Sequence, residues 1–352
     1  MLITGGRGTR FWPLSRKSRP KPLLALGSDR PMIAAVCALL EPLSGPEQIF
    51  IATSRELAPA LKKILPSIPA KNYALEPEPR DTAPALGLSL ALSSRRLDPA
   101  QPEPALAFIP SDMHVHKRAA FRKALKTAGA LARSRDLIVV IGVKPDFPNP
   151  AYGYLQPGPP LGGRANIFML KKFHEKPDLK TARRYLRRGF FWNAGIFVVR
   201  PGVLWEAFRR HQPETYARLQ RILRAPAARL ERVVKKEFPR LQKTSFDYAI
   251  MEQWKATAMV TGDFGWSDLG GFPALDRIAG KGRIKNLGSG RLVTAASDRL
   301  LVLTRKLTAA VGVKDLVIVE TEDAILVMDR ESEPELKRLV LELERLGLKQ
   351  YL

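Results

Sequence analysis

The sequence contains a single cysteine, Cys37, among 352 residues. No disulfide can form within the chain, and no cysteine cluster can bind a metal, which is typical of a reducing compartment. Cys37 lies within the apolar run MIAAVCALL, so we interpret it as a core residue and not as a nucleophile. No apolar run is long enough to cross a bilayer, and the opening residues do not resemble a signal peptide. We therefore expect a soluble cytoplasmic protein without a membrane partner.

Acidic residues are scarce relative to basic ones, since 34 Asp and Glu stand against 58 Lys and Arg and leave a net charge of +24. Such a charge is typical of nucleic-acid binding, but it equally suits small polyanionic substrates. The basic residues are spread along the chain at helical spacing, as in RRYLRRG and LKRL, and form no basic tail. This distribution favours solvated helix faces and a phosphate site, and we expect no nucleic-acid partner.

Short apolar runs alternate with helical segments through most of the chain. The strand candidates include QIFIAT, ALAFIP and LIVVIGV, and the helical candidates include SRELAPALKKIL, DTAPALGLSLALSSRRL and AAFRKALKTAGALARS. Further helix is predicted from about residue 202 to 236 and in SFDYAIMEQ. This alternation predicts an α/β domain with a mostly parallel sheet.

The pattern of alternating strand and helix candidates ends after Gly271. Short strand candidates separated by Gly, Asp and Lys predict a separate all-β unit, and the tail EPELKRLVLELERLGL predicts a helix. The apolar positions of that helix share one face: Leu336, Leu339, Val340, Leu343 and Leu346. This stripe must cover either the β unit or a second subunit, which would make the protein a homodimer. We place the domain boundary near residue 280, with domains over residues 1–280 and 281–352.

A glycine-rich loop follows the first strand candidate and reads GGRGTRFWPLSRKSRPK. Gly5, Gly6 and Gly8 permit positive φ and let backbone N–H groups approach phosphate oxygens. The loop matches neither GxGxxG nor GxxxxGK[ST]. Its dense Arg and Lys residues exceed what a dinucleotide pyrophosphate needs, and they suit a triphosphate whose charge must be offset as pyrophosphate leaves. The alternative is a basic surface loop without a ligand.

The pattern GGRGTRFWPLSR followed by Pro-Lys closely resembles the signature of the sugar-phosphate nucleotidyltransferases, and WPLS resembles the mannose-1-phosphate guanylyltransferases among them. The resemblance implies a Rossmann-like catalytic domain and a C-terminal left-handed β-helix. It also implies transfer of GMP from GTP to mannose 1-phosphate. Arg10 and Lys21 would be the catalytic residues that contact the triphosphate, and Thr9 would bind the nucleotide with the glycines.

The segment EPEPRDTAPALGL resembles the family pattern E-x-x-x-R-N-T-A-P-A, which lines the nucleobase pocket. The resemblance places Glu76, Arg80 and Thr82 near guanine. Asp81 stands where the family has Asn, and its carboxylate could still accept hydrogen bonds from the base. From the residues alone, Asp81 or Thr82 caps the following helix.

Asp112 follows the strand candidate ALAFIP, and ligands of open α/β sheets bind at the carboxyl ends of the strands. A carboxylate there suits Mg²⁺, which prefers oxygen and bridges phosphates. The resemblance makes Asp112 a metal ligand, although Met113 replaces the family's His, and it makes Asp268 of FGWSDLGGF the second. An alternative arises because Asp112, His114 and His116 alternate and share a face of any strand, as in a two-histidine, one-carboxylate metal site.

Three further motifs follow in the family's order: AYGYLQPG, FHEKPD and FFWNAGIFVVRP. Asn193 offers both a donor and an acceptor to sugar hydroxyls. By resemblance, these motifs would bind mannose and ribose through Gly153, Glu175, Lys176, Asn193 and Gly195. Asp247 of SFDYAIMEQ would orient the sugar site or only cap its helix.

Two alternative functions stay open at this point. One is the same chemistry with another nucleoside triphosphate or sugar 1-phosphate. The other is a non-catalytic paralogue that senses nucleotide sugars, against which Lys21, Asp112 and Asp268 argue because they retain the family's reactive positions.

Overall fold

The computed structural model describes residues 1–5 and 8–352, which form two compact units. The first unit contains Met1–Gly5, Cys37–Ser111 and Val115–Trp266. The second contains residues 8–36, Asp112–His114 and Ser267–Leu352. Much of the glycine-rich loop thus belongs to the same compact unit as the C-terminal region. The division into domains over residues 1–280 and 281–352 stays a prediction.

Nine strands of the first unit form one sheet. In chain order they are β1 (Leu2–Ile3), β2 (Ile51–Ser54), β3 (Tyr73–Glu76), β4 (Leu106–Pro110), β6 (Ile138–Val143), β7 (Tyr154–Pro160), β8 (Ile167–His174), β9 (Phe191–Val199) and β10 (Thr257–Gly262). Two-residue strands β5 (His114–Val115) and β11 (Trp266–Ser267) lie outside it. The spatial order is β3-β2-β1-β4-β9-β6-β10-β8-β7, and β1 to β4 are parallel. Their carboxyl ends therefore share one edge of the sheet.

Eight helices are interspersed with these strands along the chain, and α3 and α4 among them pack on the sheet. They are α1 (Met32–Leu40), α2 (Ala58–Ile64), α3 (Thr82–Ser94), α4 (Arg118–Ser134), α5 (Leu179–Arg187), α6 (Pro201–His211), α7 (Pro213–Leu223) and α8 (Leu230–Glu237). Helix α3 is apolar on every face and lies in the core, where Leu86 and Leu90 belong to the same cluster as Phe108. Proline at 213 and 226 divides the long predicted helix. No helix of the described residues is long and apolar enough to span a membrane.

The second unit contains a coiled β structure. Its strands are β12 (Ile284–Asn286), β13 (Leu292–Ala295), β14 (Leu300–Leu303), β15 (Thr308–Val311), β16 (Leu316–Glu320) and β17 (Ile325–Asp329). Ile284 pairs in parallel with Leu300, and Leu292 pairs in parallel with Thr308, so one turn takes 16 residues. Glycine permits the turns to stack, because a Cβ on Gly288 would lie 2.0 Å from the Thr304 carbonyl oxygen. The predicted all-β unit is therefore a β-helix-like coil.

Helices α9 (Phe272–Ile278) and α10 (Leu336–Arg345) complete the second unit. In its core, Leu336 is 2% exposed and packs in one cluster with Phe11 and Phe272 of the same unit. Val340 and Leu343 pack partly against that cluster, as predicted. Leu339 and Leu346 are exposed, so the predicted stripe was too wide, because the helix buries a narrower face and ends before residue 346. The homodimer stays a prediction.

Candidate active site

Gly8 leaves room for Lys21 of the same loop. Gly8 has φ +62°, and a Cβ on it would lie 2.9 Å from Lys21 Cβ, so both its conformation and its surroundings require glycine. Ser15 fixes the turn by donating its hydroxyl to the Gly8 carbonyl at 2.6 Å. A Cβ on Gly5 would meet no atom within 4 Å, and Gly6 lies outside the described residues. Gly8 therefore allows Lys21 to pack closely against the loop backbone, whereas no atom crowds Gly5.

Lys21 joins the two predicted metal ligands. It opens a short 3-10 helix, Lys21–Leu23, and is 8% exposed. Its ammonium donates to Asp112 Oδ2 at 2.7 Å and to the Asp268 carbonyl oxygen at 2.5 Å. Asp112 comes two residues after β4, and Asp268 comes directly after β11. The structure thus brings together three residues that are far apart in sequence.

Arg10 lies beside Asp268 over a second glycine. A Cβ on Gly270 would lie 3.2 Å from Arg10 Nη1 and 3.0 Å from Asp268 Oδ2. The Gly270 amide donates to Asp268 Oδ1 at 3.0 Å, and Leu269 between them has φ +45°. A leucine in the left-handed region is strained, and strain of this kind concentrates at functional sites. We call Arg10, Lys21, Asp112 and Asp268 the charged cluster.

Glu333 adds a carboxylate that the sequence analysis missed. Its Oε1 lies 4.0 Å from Arg10 Nε, and its side chain is 16% exposed. Burial raises the pKa of Glu333, Arg10 opposes the rise and Asp268 adds to it. No signal in the sequence could have found it, because Glu333 lies in an acidic 3-10 helix with no motif around it.

Part of the loop's positive charge has a structural use. Arg16 donates to Asp323 Oδ1 at 2.7 Å and lies over the Trp12 ring at 5.6 Å. Lys17 pairs with Glu344 at 3.4 Å. These side chains hold the loop to the C-terminal region of the same unit. The interpretation that the loop's cation density as a whole serves a triphosphate was therefore too broad.

A polar cluster in the first unit centres on Asn193. Its Nδ2 donates to Asp247 Oδ1 at 3.2 Å, its Oδ1 accepts from the Gly195 amide at 3.1 Å, and its own amide donates to the Gly153 carbonyl at 2.9 Å. Gly195 has φ +68°, which explains its glycine. The two side-chain contacts fix the amide plane of Asn193. The first of them also brings Asp247 close to the motifs that were predicted to bind sugar.

Glu175 and Lys176 complete the polar cluster, which we define as Gly153, Glu175, Lys176, Asn193 and Asp247. A Cβ on Gly153 would lie 3.0 Å from Glu175 Oε2, and Lys176 Nζ donates to Glu175 Oε1 at 2.5 Å. Lys176 has φ +37°, a second strained backbone position. Burial alone would lower the pKa of Lys176, but its bond to Glu175 and the nearby carboxylates raise it.

Asp247 begins a π-helical turn, Asp247–Met251, a rare element that is frequent at functional sites. Burial raises the pKa of Asp247 to about 7, and the charge of Glu175 adds to the rise. The hydrogen bond from Asn193 and the charge of Lys176 oppose it. Asp247 therefore titrates near neutral pH, and its orientation of the sugar site stays a prediction.

The predicted base segment begins at the end of β3. Glu76 is 9% exposed, and burial raises its pKa to about 7. Asp81 has φ +69° and ψ −177°, a region that is nearly restricted to glycine, and its carboxylate accepts from the Thr82 amide at 2.7 Å. The predicted helix cap is thus confirmed for Asp81.

Arg80 and Thr82 have partners within the protein. Arg80 donates to Glu78 Oε1 at 2.6 Å and to the Leu241 carbonyl at 3.1 Å, and Thr82 Oγ1 accepts from the Phe246 amide at 2.8 Å. The last bond ties the start of α3 to the residue before Asp247. Their contact with a base stays a prediction.

Within residues 1–5 and 8–352, no group of three or more His, Cys, Asp or Glu side chains is placed to hold a metal. The geometry therefore gives no support to the alternative site of Asp112, His114 and His116. Cys37 is 6% exposed, and burial raises the pKa of its thiol to about 12, which confirms it as an unreactive core residue.

Two family models match the chain. The nucleotidyl transferase model covers residues 1–281, and the model of the mannose-phosphate isomerase and guanylyltransferase-like β-helix domain covers residues 290–343. They match the α/β architecture and the β-helix-like coil, and the fold class predicted from the sequence is confirmed.

Individual proteins are similar over nearly the whole chain. A mannose-1-phosphate guanylyltransferase of Escherichia coli K12 is 31% identical over 99% of this chain and 73% of its own length. The ManC guanylyltransferase of Salmonella typhimurium LT2 is 31% identical over 97% and 72%. A crystal structure from Thermus thermophilus, titled mannose-1-phosphate geranyltransferase, is 32% identical with a TM-score of 0.89 and covers 97% of this chain and 98% of that one.

Proposed function

This chain belongs to the nucleotidyl transferase family, in the branch of the mannose-1-phosphate guanylyltransferases, and from that premise we propose that it converts GTP and α-D-mannose 1-phosphate into GDP-mannose and pyrophosphate. The single observation that carries the proposal is the charged cluster. One buried lysine joins two aspartates, and an arginine lies beside the second aspartate. Such an arrangement suits a triphosphate that changes its charge distribution as it reacts.

The reaction needs charge compensation more than proton transfer. The phosphate oxygen of the sugar is already a nucleophile near neutral pH, and it attacks the α-phosphorus in line with departing pyrophosphate. Lys21 and Arg10 stabilise the negative charge that develops on the triphosphate, and the loop backbone with Thr9 holds the phosphates. Catalysis then comes from positioning and electrostatics, without a covalent enzyme intermediate.

The aspartates fit a hard divalent cation. Asp112 and Asp268 offer carboxylate oxygens, the ligands that Mg²⁺ prefers, and the Lys21 ammonium contacts both residues, through the carboxylate of Asp112 and the main-chain carbonyl of Asp268. They would hold Mg²⁺, which when bound would offset phosphate charge. The Lys21 ammonium, which is 8% exposed and next to both aspartates, would donate to phosphate oxygens of the bound triphosphate.

The first unit supplies the groups that suit the base and the sugar. We assign Glu76, Arg80 and Thr82 to guanine, and the polar cluster with Gly195 to mannose and ribose. Asn193 supports the sugar assignment, because its side-chain amide is oriented by two hydrogen bonds and has both donor and acceptor character. Gly153 supports it because a Cβ there would lie 3.0 Å from Glu175 Oε2 and would crowd that carboxylate.

Pyrophosphate release from a matrix of nucleoside triphosphates and sugar 1-phosphates tests the proposal. With Mg²⁺ present, we expect the highest kcat/KM for GTP with mannose 1-phosphate, and we expect EDTA to abolish turnover. Preference for another pair would replace the substrates and keep the chemistry. No turnover with any pair, together with binding of a nucleotide sugar, would instead identify a sensing paralogue.

A further inference from the structure

The carboxylate of Glu333 has no part in the mechanism above, although it lies next to a residue that does. Its Oε1 is 4.0 Å from Arg10 Nε, while the Glu333 side chain is 16% exposed and the Arg10 side chain 42%. That oxygen is buried and accepts no hydrogen bond from the described residues. A buried, incompletely bonded carboxylate disfavours folding, so its presence is better explained by function than by stability.

The backbone around Glu333 is shaped to admit it. A Cβ on Gly271 would lie 2.1 Å from Glu333 Oε1 and 2.7 Å from its Cδ, so any side chain at 271 would expel the carboxylate. Gly271 has φ 177°, an extended conformation that any residue adopts, so the glycine matters for the space that it leaves to the carboxylate. The preceding Gly270 makes the same kind of room for Arg10 and Asp268. Gly270 and Gly271 thus leave room for the side chains of Asp268, Arg10 and Glu333.

The segment that carries Glu333 is firmly held. The side chain of Asp329 accepts from the Glu331 amide at 2.8 Å at the start of the 3-10 helix, and Leu336 at its end is 2% exposed. Leu336 packs in the cluster that contains Phe11, the neighbour of Arg10 in sequence. The C-terminal segment can therefore fix a carboxylate relative to the loop.

We propose that Glu333 is a positioning residue for Arg10: it attracts the Nε edge of the guanidinium and so leaves the Nη edge, which lies beside Asp268, to meet the triphosphate. This inference rests on the proposed function. The Arg10 side chain is 42% exposed, and orienting its guanidinium before the substrate arrives reduces the entropy lost in the transition state. In this way the C-terminal region takes part in catalysis.

Steady-state kinetics of Glu333→Gln test the inference. The substitution keeps the shape and removes a negative charge near the triphosphate, so the KM for GTP should stay constant or fall, while kcat should fall about tenfold because Arg10 loses its orientation. Gly271→Ala should give the same separation of kcat from KM, because it displaces the carboxylate without removing it. Glu331→Gln, an exposed change in the same segment, should match the wild type.

A double-mutant cycle separates positioning from a purely structural role. In an Arg10→Gln background, Glu333→Gln should not lower kcat further, because the residue acts through Arg10. Thermal unfolding of Glu333→Gln should occur at the wild-type temperature or above it. A raised KM with a lowered Tm, a further fall in kcat in the Arg10→Gln background, or a kcat within twofold of the wild type would each overturn the inference.

Calorimetric GTP binding separates this inference from the proposed function, because it needs no turnover. The effect of Glu333→Gln on GTP affinity should differ at least threefold between the wild-type and Arg10→Gln backgrounds, since the two side chains interact. Equal effects in both backgrounds would overturn the inference even if the enzyme turns over. If no substrate pair reacts, the proposed function fails, and the binding cycle still decides whether Glu333 and Arg10 are coupled.

Discussion

The charged cluster and the polar cluster differ in the groups that lie next to their aspartates. In the charged cluster, the Lys21 ammonium is joined to the Asp112 carboxylate, so opposite charges are already matched. In the polar cluster, Asp247 lies near Glu175, and burial together with that like charge raises the pKa of Asp247 to about 7. The first arrangement can exchange its partners for a metal and phosphates. The second is close to neutral and suits uncharged hydroxyls.

The two clusters share one structural device. Each contains or adjoins a residue other than glycine in the left-handed region, Leu269 in the first case and Lys176 in the second. Such positions cost of the order of 1–3 kcal/mol each and persist where the surroundings fix them. The clusters therefore differ in their electrostatics and not in how tightly their backbones are defined, and this difference can be tested.

The largest effect is expected for Lys21→Gln, which removes the cation of the charged cluster. We expect kcat to fall by roughly 10²–10³, the scale for losing one contact to transition-state charge, and the KM for mannose 1-phosphate to change little. Lys17→Gln is the matched control, since Lys17 also pairs with a carboxylate but is half-exposed. Comparable losses in both variants would remove the distinction between catalytic and structural cations.

The next effect concerns the stability of the polar cluster. The pKa of Asp247 is raised from 3.8 to about 7, so between these values the folded protein binds a proton that the unfolded chain has lost. Stability should therefore fall as pH rises through this range, on the order of 3 kcal/mol between pH 5 and 8.

Urea unfolding measures this contribution directly. Asp247→Asn should lose less stability than the wild type over the same pH interval, whereas Asp263→Asn, which changes an exposed carboxylate, should keep the wild-type fall. Equal slopes for the wild type and Asp247→Asn would show that Asp247 is already ionised at pH 5.

A smaller effect is expected for Asn193→Ala, which tests the proposal that the polar cluster binds the hydroxyls of the sugar. The KM for mannose 1-phosphate should rise about tenfold, since a hydrogen bond to the sugar is lost and Asp247 loses its donor. The KM for GTP should change less than that for the sugar phosphate. Asn166→Ala, an exposed change, is the control, and a greater effect on GTP than on the sugar phosphate would reverse the assignment.

The smallest effect on activity is expected for Arg16→Gln. Arg16 pairs with Asp323 and lies over Trp12, so its loss should cost about 1 kcal/mol of stability. The kcat should stay within about threefold of the wild type. A fall as large as that of Lys21→Gln, at unchanged Tm, would show that Arg16 contacts substrate and that the loop's charge is used more widely.

The hydrophobic pattern of the sequence predicted the parts of the fold that depend on neighbouring residues. The buried run of β6 and the alternation of strands with helices predicted the sheet, and the strand expected before Asp112 is β4. Each of these features is encoded within a few neighbouring residues or in a repeated motif.

The proximity of Glu333 to Arg10 could not be predicted, because it depends on which surface the C-terminal segment covers. An amphipathic helix signals that one face is buried but not what buries it, and the predicted stripe was too wide for the same reason. The use of Arg16 was likewise hidden, since a motif gives the residue types and not their partners.

The central claim is that this chain transfers a nucleotidyl group directly by offsetting charge. Rapid-quench experiments with GTP labelled at the α-phosphorus test it most directly. With mannose 1-phosphate present, all transferred label should appear in GDP-mannose within the first turnover, none should remain on the protein, and none should appear in pyrophosphate. Label bound covalently to the protein in the absence of the sugar phosphate, or no labelled sugar nucleotide at all, would contradict the account.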